Sequence, residues 1–292
     1  LSNFVAITAN KRKANRLGIP LKRILEIPIT VPGRFSITTA MSFSVLLSVG
    51  KRNYENFMKG VRAMDIHFKS AAIKQNIPIR LALLSIWNIN YLGIIAHCIS
   101  AYSYRLKLLS SFIQQIEMES NGKTYTNQNQ LVDHSTSPIL FGMVGTECQH
   151  SIFQMIHQGS FKTAIDLIGV LNNQNQSNKF LLANLISQAD LAFGGKNNNQ
   201  KHKILLGRNP CNIMLMDTLS PKNIGSLVSV YEHKVFVEGL FWNINSFDQW
   251  GVEAGKELSE KMLNRLTIKD SNIKNNKATK DLIIYIKKRF KK

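Results

Sequence analysis

The sequence predicts an α/β fold in which helices cover a parallel sheet. Three observations lead there. Short apolar runs of strand length, PILFG, TAIDLIG, KILLG and CNIMLMD, follow one another from Pro138 onward. Helical segments around 148–158, 178–193 and 221–240 separate them. The chain has 292 residues and 44% hydrophobic content, enough apolar side chain for a sizeable core. Strand–helix alternation is the pattern of parallel sheets, which hold ligands at the carboxyl ends of their strands.

In chain order, FVAIT at Phe4–Thr8 reads as a short buried strand. ILEIPITVPGR follows, and its Pro28 and Pro32 favour an extended, looped path into a helix beginning near Ser36, with Arg34 just before that start. From there to about Glu117 the pattern is mainly helical, with breaks near Gly50, Pro78 and Gly93. The most apolar run, LALLSIWNINYLGIIAHCISAY from Leu81, approaches membrane-spanning length, but Asn88, Asn90 and His97 inside it favour a buried soluble helix. No membrane association is expected. Asn-rich stretches at 172–178 and 197–201 read as solvated connectors. In SFDQWGVEAGKEL, Ser246 and Gln249 have capping-box spacing, which places a helix start there. Gln249, Glu253 and Lys256 then share one helix face. Gly251 and Gly255 weaken a helix and suggest a close approach by a neighbour or ligand, while Trp250 and Val252 suggest a buried first turn. After residue 265 the chain turns polar and ends in a short basic amphipathic helix.

Lys and Arg number 37 against 18 Asp and Glu, a formal charge of +19. The basic residues are scattered. The nearest clusters, KKRFKK at the end and Lys11–Lys13, lack interleaved aromatics, so a nucleic-acid partner is not expected and anionic substrates are. Cys98, Cys148 and Cys211 show no C-x-x-C spacing and fit a reducing compartment, hence a cytoplasmic location.

Four patches can carry chemistry. MESNGK places Glu119 near a helix C-terminus, where the helix dipole disfavours a carboxylate and suits it to be a general base. GTECQHS puts His150 in the first turns of a helix. His150 and His157 lack a third metal ligand, and Cys148 and His150, two apart, diverge on a helix, so neither a metal site nor a thiol nucleophile is expected. PGRFS offers Arg34, a donor fork suited to phosphate or an enolate oxygen. Lys256 completes a set of carboxylate, histidine, arginine and lysine. Such a set suits proton removal from a carbon beside a carbonyl, which needs a base, an acid and fixed positive charge.

PGRFS, EMESNGK, GTECQH and above all YEHKVFVEGLFWNINSFDQWGVEAGK resemble the signatures of the glucose-6-phosphate isomerase (phosphoglucose isomerase) family. The similarity runs from FVAIT to about Leu258. It implies a sugar-isomerase (SIS) fold with two Rossmann-like subdomains, a homodimer with a shared active site, and reversible conversion of glucose 6-phosphate to fructose 6-phosphate without metal or cofactor. By the same resemblance Glu119 moves the proton between carbons 2 and 1, Arg34 stabilises the enediolate, and His150 helps open the ring while reaching the partner subunit's site. Lys256 assists ring opening, and Gln115, Gln249 and Gly33 contact the sugar phosphate. The chain departs from the family at Pro32, in GMVGTECQH, in SAYSY around Tyr102 and in GRNPC at 207–211. The resemblance begins in mid-family: the N-terminal half, with its Ser/Thr-rich phosphate loop, has no counterpart. The expected layout is the end of a first SIS subdomain at 1–50, a helical connection at 51–110, a second SIS subdomain at 111–265 and a basic tail at 266–292. A truncated, non-catalytic remnant is the alternative.

Overall fold

The computed structural model describes residues 3–171, 176–267 and 276–290. Most of the Asn-rich connector at 172–178, much of the polar stretch after 265 and the last two lysines lie outside the described residues. The chain divides into two compact units, Leu1–Phe247 and Asp248–Lys292.

The first unit begins with strand β1 (Ala6–Thr8), helix α1 (Lys11–Arg16) and strand β2 (Ile24–Glu26), and the two strands pair in parallel. The two prolines then hold the chain in a loop, as expected. The helical path near Ser36 is a 3-10 turn, Gly33–Thr38, and the first α-helix after it is α2 (Phe43–Val49). Helices α3 (Lys51–Ser70) and α4 (Ile77–Ile86) follow. Asn76 caps α4 by accepting from the Ile79 N–H, with Pro78 in the first turn where no N–H is needed.

The apolar run from Leu81 is not one helix. It leaves α4 at Ile86, passes a π-helical turn at Trp87–Tyr91 and becomes strand β3 (Ala96–Ala101) inside the region expected to be helical. A strand buried on both faces shows no alternation, so periodicity could not separate it from a buried helix. His97 sits in this strand, buried. Then come α5 (Leu109–Asn121), β4 (Ile139–Val144), α6 (Gly145–Ser151), α7 (Phe153–Gln158), β5 (Thr163–Val170), α8 (Gln176–Gly194), β6 (Cys211–Met216) and α9 (Pro221–Phe241). Ser220 caps α9 ahead of Pro221. KILLG is not a strand; its lysine closes a 3-10 turn and Leu205 makes a single bridge to Lys196.

The four strands form an all-parallel sheet in the order β4-β3-β5-β6, with Ile99 opposite Gly142 and Asp166, and Ile168 opposite Met214. One face carries Ile99, Leu140 and Ile168 against Ile113 and Ile116 of α5 and Tyr231 and Val235 of α9. The other carries Cys98, Ile165 and Leu167 against Phe153 of α7 and Leu185 of α8. Helices α3 and α9 cross at backbone contact: a Cβ on Gly60 would lie 1.8 Å from the Lys222 carbonyl oxygen, and one on Gly225 would lie 2.1 Å from that of Phe57.

The second unit is helix α10 (Trp250–Thr267) packed with α11 (Lys277–Phe290), where Ile283 is buried. Among the described residues no helix is long and apolar enough to cross a membrane.

Candidate active site

Arg34 is the anchor. The turn that begins at Gly33 carries its side chain inward, where it is only 1% exposed. Its Nε donates to Ser120 Oγ at 2.6 Å and one terminal nitrogen donates to the Ser246 carbonyl at 2.6 Å. The other terminal nitrogen stands 3.8 Å from Glu119 Oε2, beyond hydrogen-bond reach but close enough for strong attraction. Gln115, one turn earlier on α5, donates from Nε2 to that same oxygen at 3.2 Å. Glu119 lies in the last turn of α5, and its side chain keeps 22% of its surface exposed. Lys123 caps that helix end through the carbonyls of Glu119 and Ser120. Nothing lies within 4 Å of a Cβ added to Gly33, so open space adjoins Arg34.

Four of the sequence-derived residues, Gly33, Arg34, Gln115 and Glu119, therefore converge. His150 lies on α6, immediately after the carboxyl end of β4, and is exposed. That helix starts where Gly145 presses on the Tyr102 ring; a Cβ there would come within 2.5 Å of it. Gln249 and Lys256 belong to the second unit, where Gln249 donates to Glu253 at 2.8 Å and Lys256 is exposed. The capping box does not form. Ser246 Oγ instead donates to Asn121 Oδ1 at 2.7 Å, and α10 begins only at Trp250. The first turn of α10 is not buried, since Trp250 and Val252 are 71% and 45% exposed. Within the chain, a Cβ added at Gly251 or Gly255 meets nothing within 4 Å.

Beneath Arg34 lies a network that sequence reasoning missed. Lys234 of α9, 2% exposed, donates to Glu117 Oε2 at 2.6 Å and Glu238 Oε1 at 2.7 Å. Asn121 donates to the Glu117 carboxylate and the Val235 carbonyl and accepts from Ser246, whose own carbonyl holds Arg34. Burial would raise the Glu117 carboxyl, but Lys234 and the hydrogen bonds from its neighbours outweigh burial and lower it. Burial, then the Glu117 charge, pushes Glu238 well above the carboxylate range, so it keeps its proton. The triad thus holds one negative and one positive charge. A Lys four residues before a Glu on a helix otherwise rich in apolar residues was the available signal, because such a pair on a buried helix must be paired internally.

A second buried carboxylate, Asp166, accepts from Tyr231 at 2.9 Å and Asn212 at 2.8 Å, with His97 Nε2 3.1 Å away but out of line for a hydrogen bond. Burial alone would raise Asp166; His97 and the two hydrogen bonds bring it down to about 2. No three acidic, histidine or cysteine side chains among the described residues converge as a metal-binding group.

The profile of the family described as phosphoglucose isomerase matches residues 1–283. Glucose-6-phosphate isomerase 1 of Neisseria gonorrhoeae is 38% identical over 303 aligned residues, covering 96% of this chain and 55% of the relative. Glucose-6-phosphate isomerase of Helicobacter pylori is 36% identical and is covered over 56% of its length. The chain thus spans about half the length of the curated relatives it matches. The crystal structure of a glucose-6-phosphate isomerase from Chlamydia trachomatis superposes with a TM-score of 0.80 at 31% identity, over 94% of this chain and 58% of that one. A hypothetical protein from Thermus thermophilus, 21% identical with a TM-score of 0.69, shares the fold. With the profile covering nearly its whole length and this sugar-isomerase type of α/β architecture beneath it, the chain belongs to the phosphoglucose isomerase family.

Proposed function

We propose that the chain supplies the acid–base machinery for reversible isomerisation of glucose 6-phosphate to fructose 6-phosphate, as part of a larger cytoplasmic enzyme. The observation that supports this most is the buried Arg34 guanidinium held 3.8 Å from the part-exposed Glu119 carboxylate, with Gln115 on the same oxygen. Glu119 takes the proton from carbon 2 of the open-chain sugar. The electron pair moves into an enediolate whose oxygen charge faces Arg34, the proton returns at carbon 1, and the hydroxyl proton of oxygen 2 passes to oxygen 1 as the carbonyl shifts from carbon 1 to carbon 2. Atoms and electrons balance within the substrate, so no cofactor is consumed. A guanidinium already fixed by Ser120 and Ser246 needs no reorganisation as that charge develops.

His150 opens the sugar ring in the partner subunit's site of a homodimer; its exposure on α6 suits a residue that serves a neighbour. Lys256 assists ring opening, and Gln115, Gln249 and Gly33 contact the sugar phosphate. The phosphate itself is gripped by the part of the family fold that this chain does not span, so residues 1–292 alone turn over glucose 6-phosphate poorly, because binding energy from a non-reacting group positions the reacting carbons.

The test is a coupled assay for fructose 6-phosphate on the chain alone and together with the complementary part of a family member. Turnover on assembly supports the proposal. Silence in both favours a non-catalytic remnant, the reading to which the departures in GMVGTECQH and GRNPC point. Fast turnover by the chain alone would mean that the phosphate is bound here.

A further inference from the structure

Two of the hydrogen bonds that hold Arg34 trace back to a single turn of α5. The guanidinium Nε donates to Ser120 Oγ and one terminal nitrogen to the Ser246 carbonyl, each at 2.6 Å, while the other terminal nitrogen is the one 3.8 Å from Glu119. Glu119 and Ser120 are consecutive residues at the end of α5. The Ser246 carbonyl lies elsewhere, on the irregular segment that follows α9. An acceptor on such a segment fixes a guanidinium only if the segment is itself fixed.

The hydroxyl of the same residue does this. Ser246 is 3% exposed, and its Oγ donates at 2.7 Å to Oδ1 of Asn121, the last residue of α5. The direction of that bond is dictated from beneath. Asn121 Nδ2 faces two acceptors, Glu117 Oε1 at 3.2 Å and the Val235 carbonyl at 3.1 Å, so the amide turns its oxygen toward Ser246, which must donate. Glu117 is in turn tied to Lys234 at 2.6 Å. Gly239 of α9 makes the approach possible: a Cβ there would lie 1.9 Å from Ser246 Oγ and 3.3 Å from Asn121 Oδ1. A glycine inside a helix weakens it, and here it leaves the room through which the hydroxyl reaches α5.

We propose that Ser246 and Asn121 are positioning residues for Arg34: the bond between their side chains clamps the Ser246 carbonyl to the turn of α5 that carries Glu119, and so sets where the guanidinium meets charge developing on the substrate. Base and cation are then spaced from one rigid element. The proposal rests on the isomerase reading above, since only there does Arg34 face an enediolate. In this role neither residue touches the substrate. Loss of the clamp therefore weakens binding of the enediolate, where the oxygen charge is developed, more than binding of the sugar itself.

The experiment reads the clamp in Ser246→Ala, which deletes the hydroxyl and keeps the carbonyl. On residues 1–292 alone, NMR follows solvent exchange of the Arg34 guanidinium protons. They exchange slowly in the wild type, and Ser246→Ala speeds them by about tenfold or more, one hydrogen bond being worth roughly that factor, while the amides of Ile165 and Leu167 in β5 do not change. On the chain assembled with the complementary part of the family fold, two ligands are titrated. One is a sugar phosphate with a hydroxamate in place of carbons 1 and 2, which mimics the enediolate; the other is glucitol 6-phosphate, which does not. Ser246→Ala weakens the hydroxamate by about tenfold or more and glucitol 6-phosphate by less than about twofold. If Ser246→Ala fails to fold, Ser246→Cys, with a weak S–H donor in the same place, gives smaller changes in the same direction. Guanidinium exchange at the wild-type rate in the folded variant overturns the proposal, as does an equal loss of both ligands, which would make the hydroxyl a general support of the fold. A wild-type assembly that binds the hydroxamate no tighter than glucitol 6-phosphate would instead overturn the isomerase reading, and the exchange comparison separates the two failures.

Discussion

Replacing Lys234 by Met removes the only cation of the buried triad and keeps the length of the side chain. Two carboxyl groups with 0% exposure remain, and only Glu117 carries a charge, since Glu238 already holds its proton. Leaving one buried charge unpaired costs about 3–5 kcal/mol. An independent ceiling comes from protonation. Glu117 escapes the penalty by binding a proton, and from its ordinary value of 4.5 this costs roughly 3–4 kcal/mol at pH 7, at about 1.4 kcal/mol per unit. The two figures agree, so a loss near 3–4 kcal/mol is expected at pH 7. The sign of its pH dependence follows. In the variant the folded-state Glu117 binds its proton more readily than the unfolded chain does, so stability returns as pH falls, and at pH 5.5 the loss shrinks by about 2 kcal/mol. Urea unfolding of both proteins at the two pH values reads this directly. A loss below about 1 kcal/mol, or one equal at both pH values, would refute the reasoning.

Glu232 carries a buried carboxyl oxygen without a hydrogen-bond partner among the described residues and is pushed up to about 8 by burial and then by Asp65. A raised folded-state value gives stability that is complete below 4.5 and is lost as pH rises through about 8, so Glu232→Gln should flatten urea-midpoint profiles between pH 5 and 8 by on the order of 1 kcal/mol per unit. Gly225→Ala drives a methyl into the Phe57 carbonyl and should cost about 1–3 kcal/mol in a thermal melt, whereas Gly251→Ala in α10 meets open space and should be neutral or stabilise by up to about 1 kcal/mol. Under the proposed shared site, exchanging subunits between inactive His150→Ala and inactive Glu119→Gln dimers should restore activity in the mixed dimer; no recovery after proven exchange would place both residues in one subunit's site.

Much of the second half of the first unit was legible in the sequence because its strands and helices are short, bounded and differently patterned. PILFG, TAIDLIG and CNIMLMD became β4, β5 and β6. β3 was hidden because AHCISA, packed on both faces, looks the same as the buried helix before it. The clustering of Arg34, Glu119, Gln115 and Gly33 came from motif resemblance, since residues 86 apart such as Arg34 and Ser120 leave no local trace of their contact. The capping box failed because α10 begins only at Trp250, so Ser246, though correctly spaced from Gln249, does not stand at the helix start; its hydroxyl donates to Asn121 on α5. Local spacing proposes a helix start, and the tertiary fold sets where it falls.

Under the proposed reaction Glu119 moves a carbon-bound proton beside a fixed guanidinium. Proton NMR of glucose 6-phosphate in deuterium oxide, with the chain assembled with the complementary part of the family fold, tests it most directly by following loss of the carbon 2 proton. This exchange should accompany isomerisation, and Glu119→Gln should slow both by about 10²–10⁴-fold, with unfolding midpoints unchanged. A Gln variant that still exchanges the carbon 2 proton at the wild-type rate would contradict it.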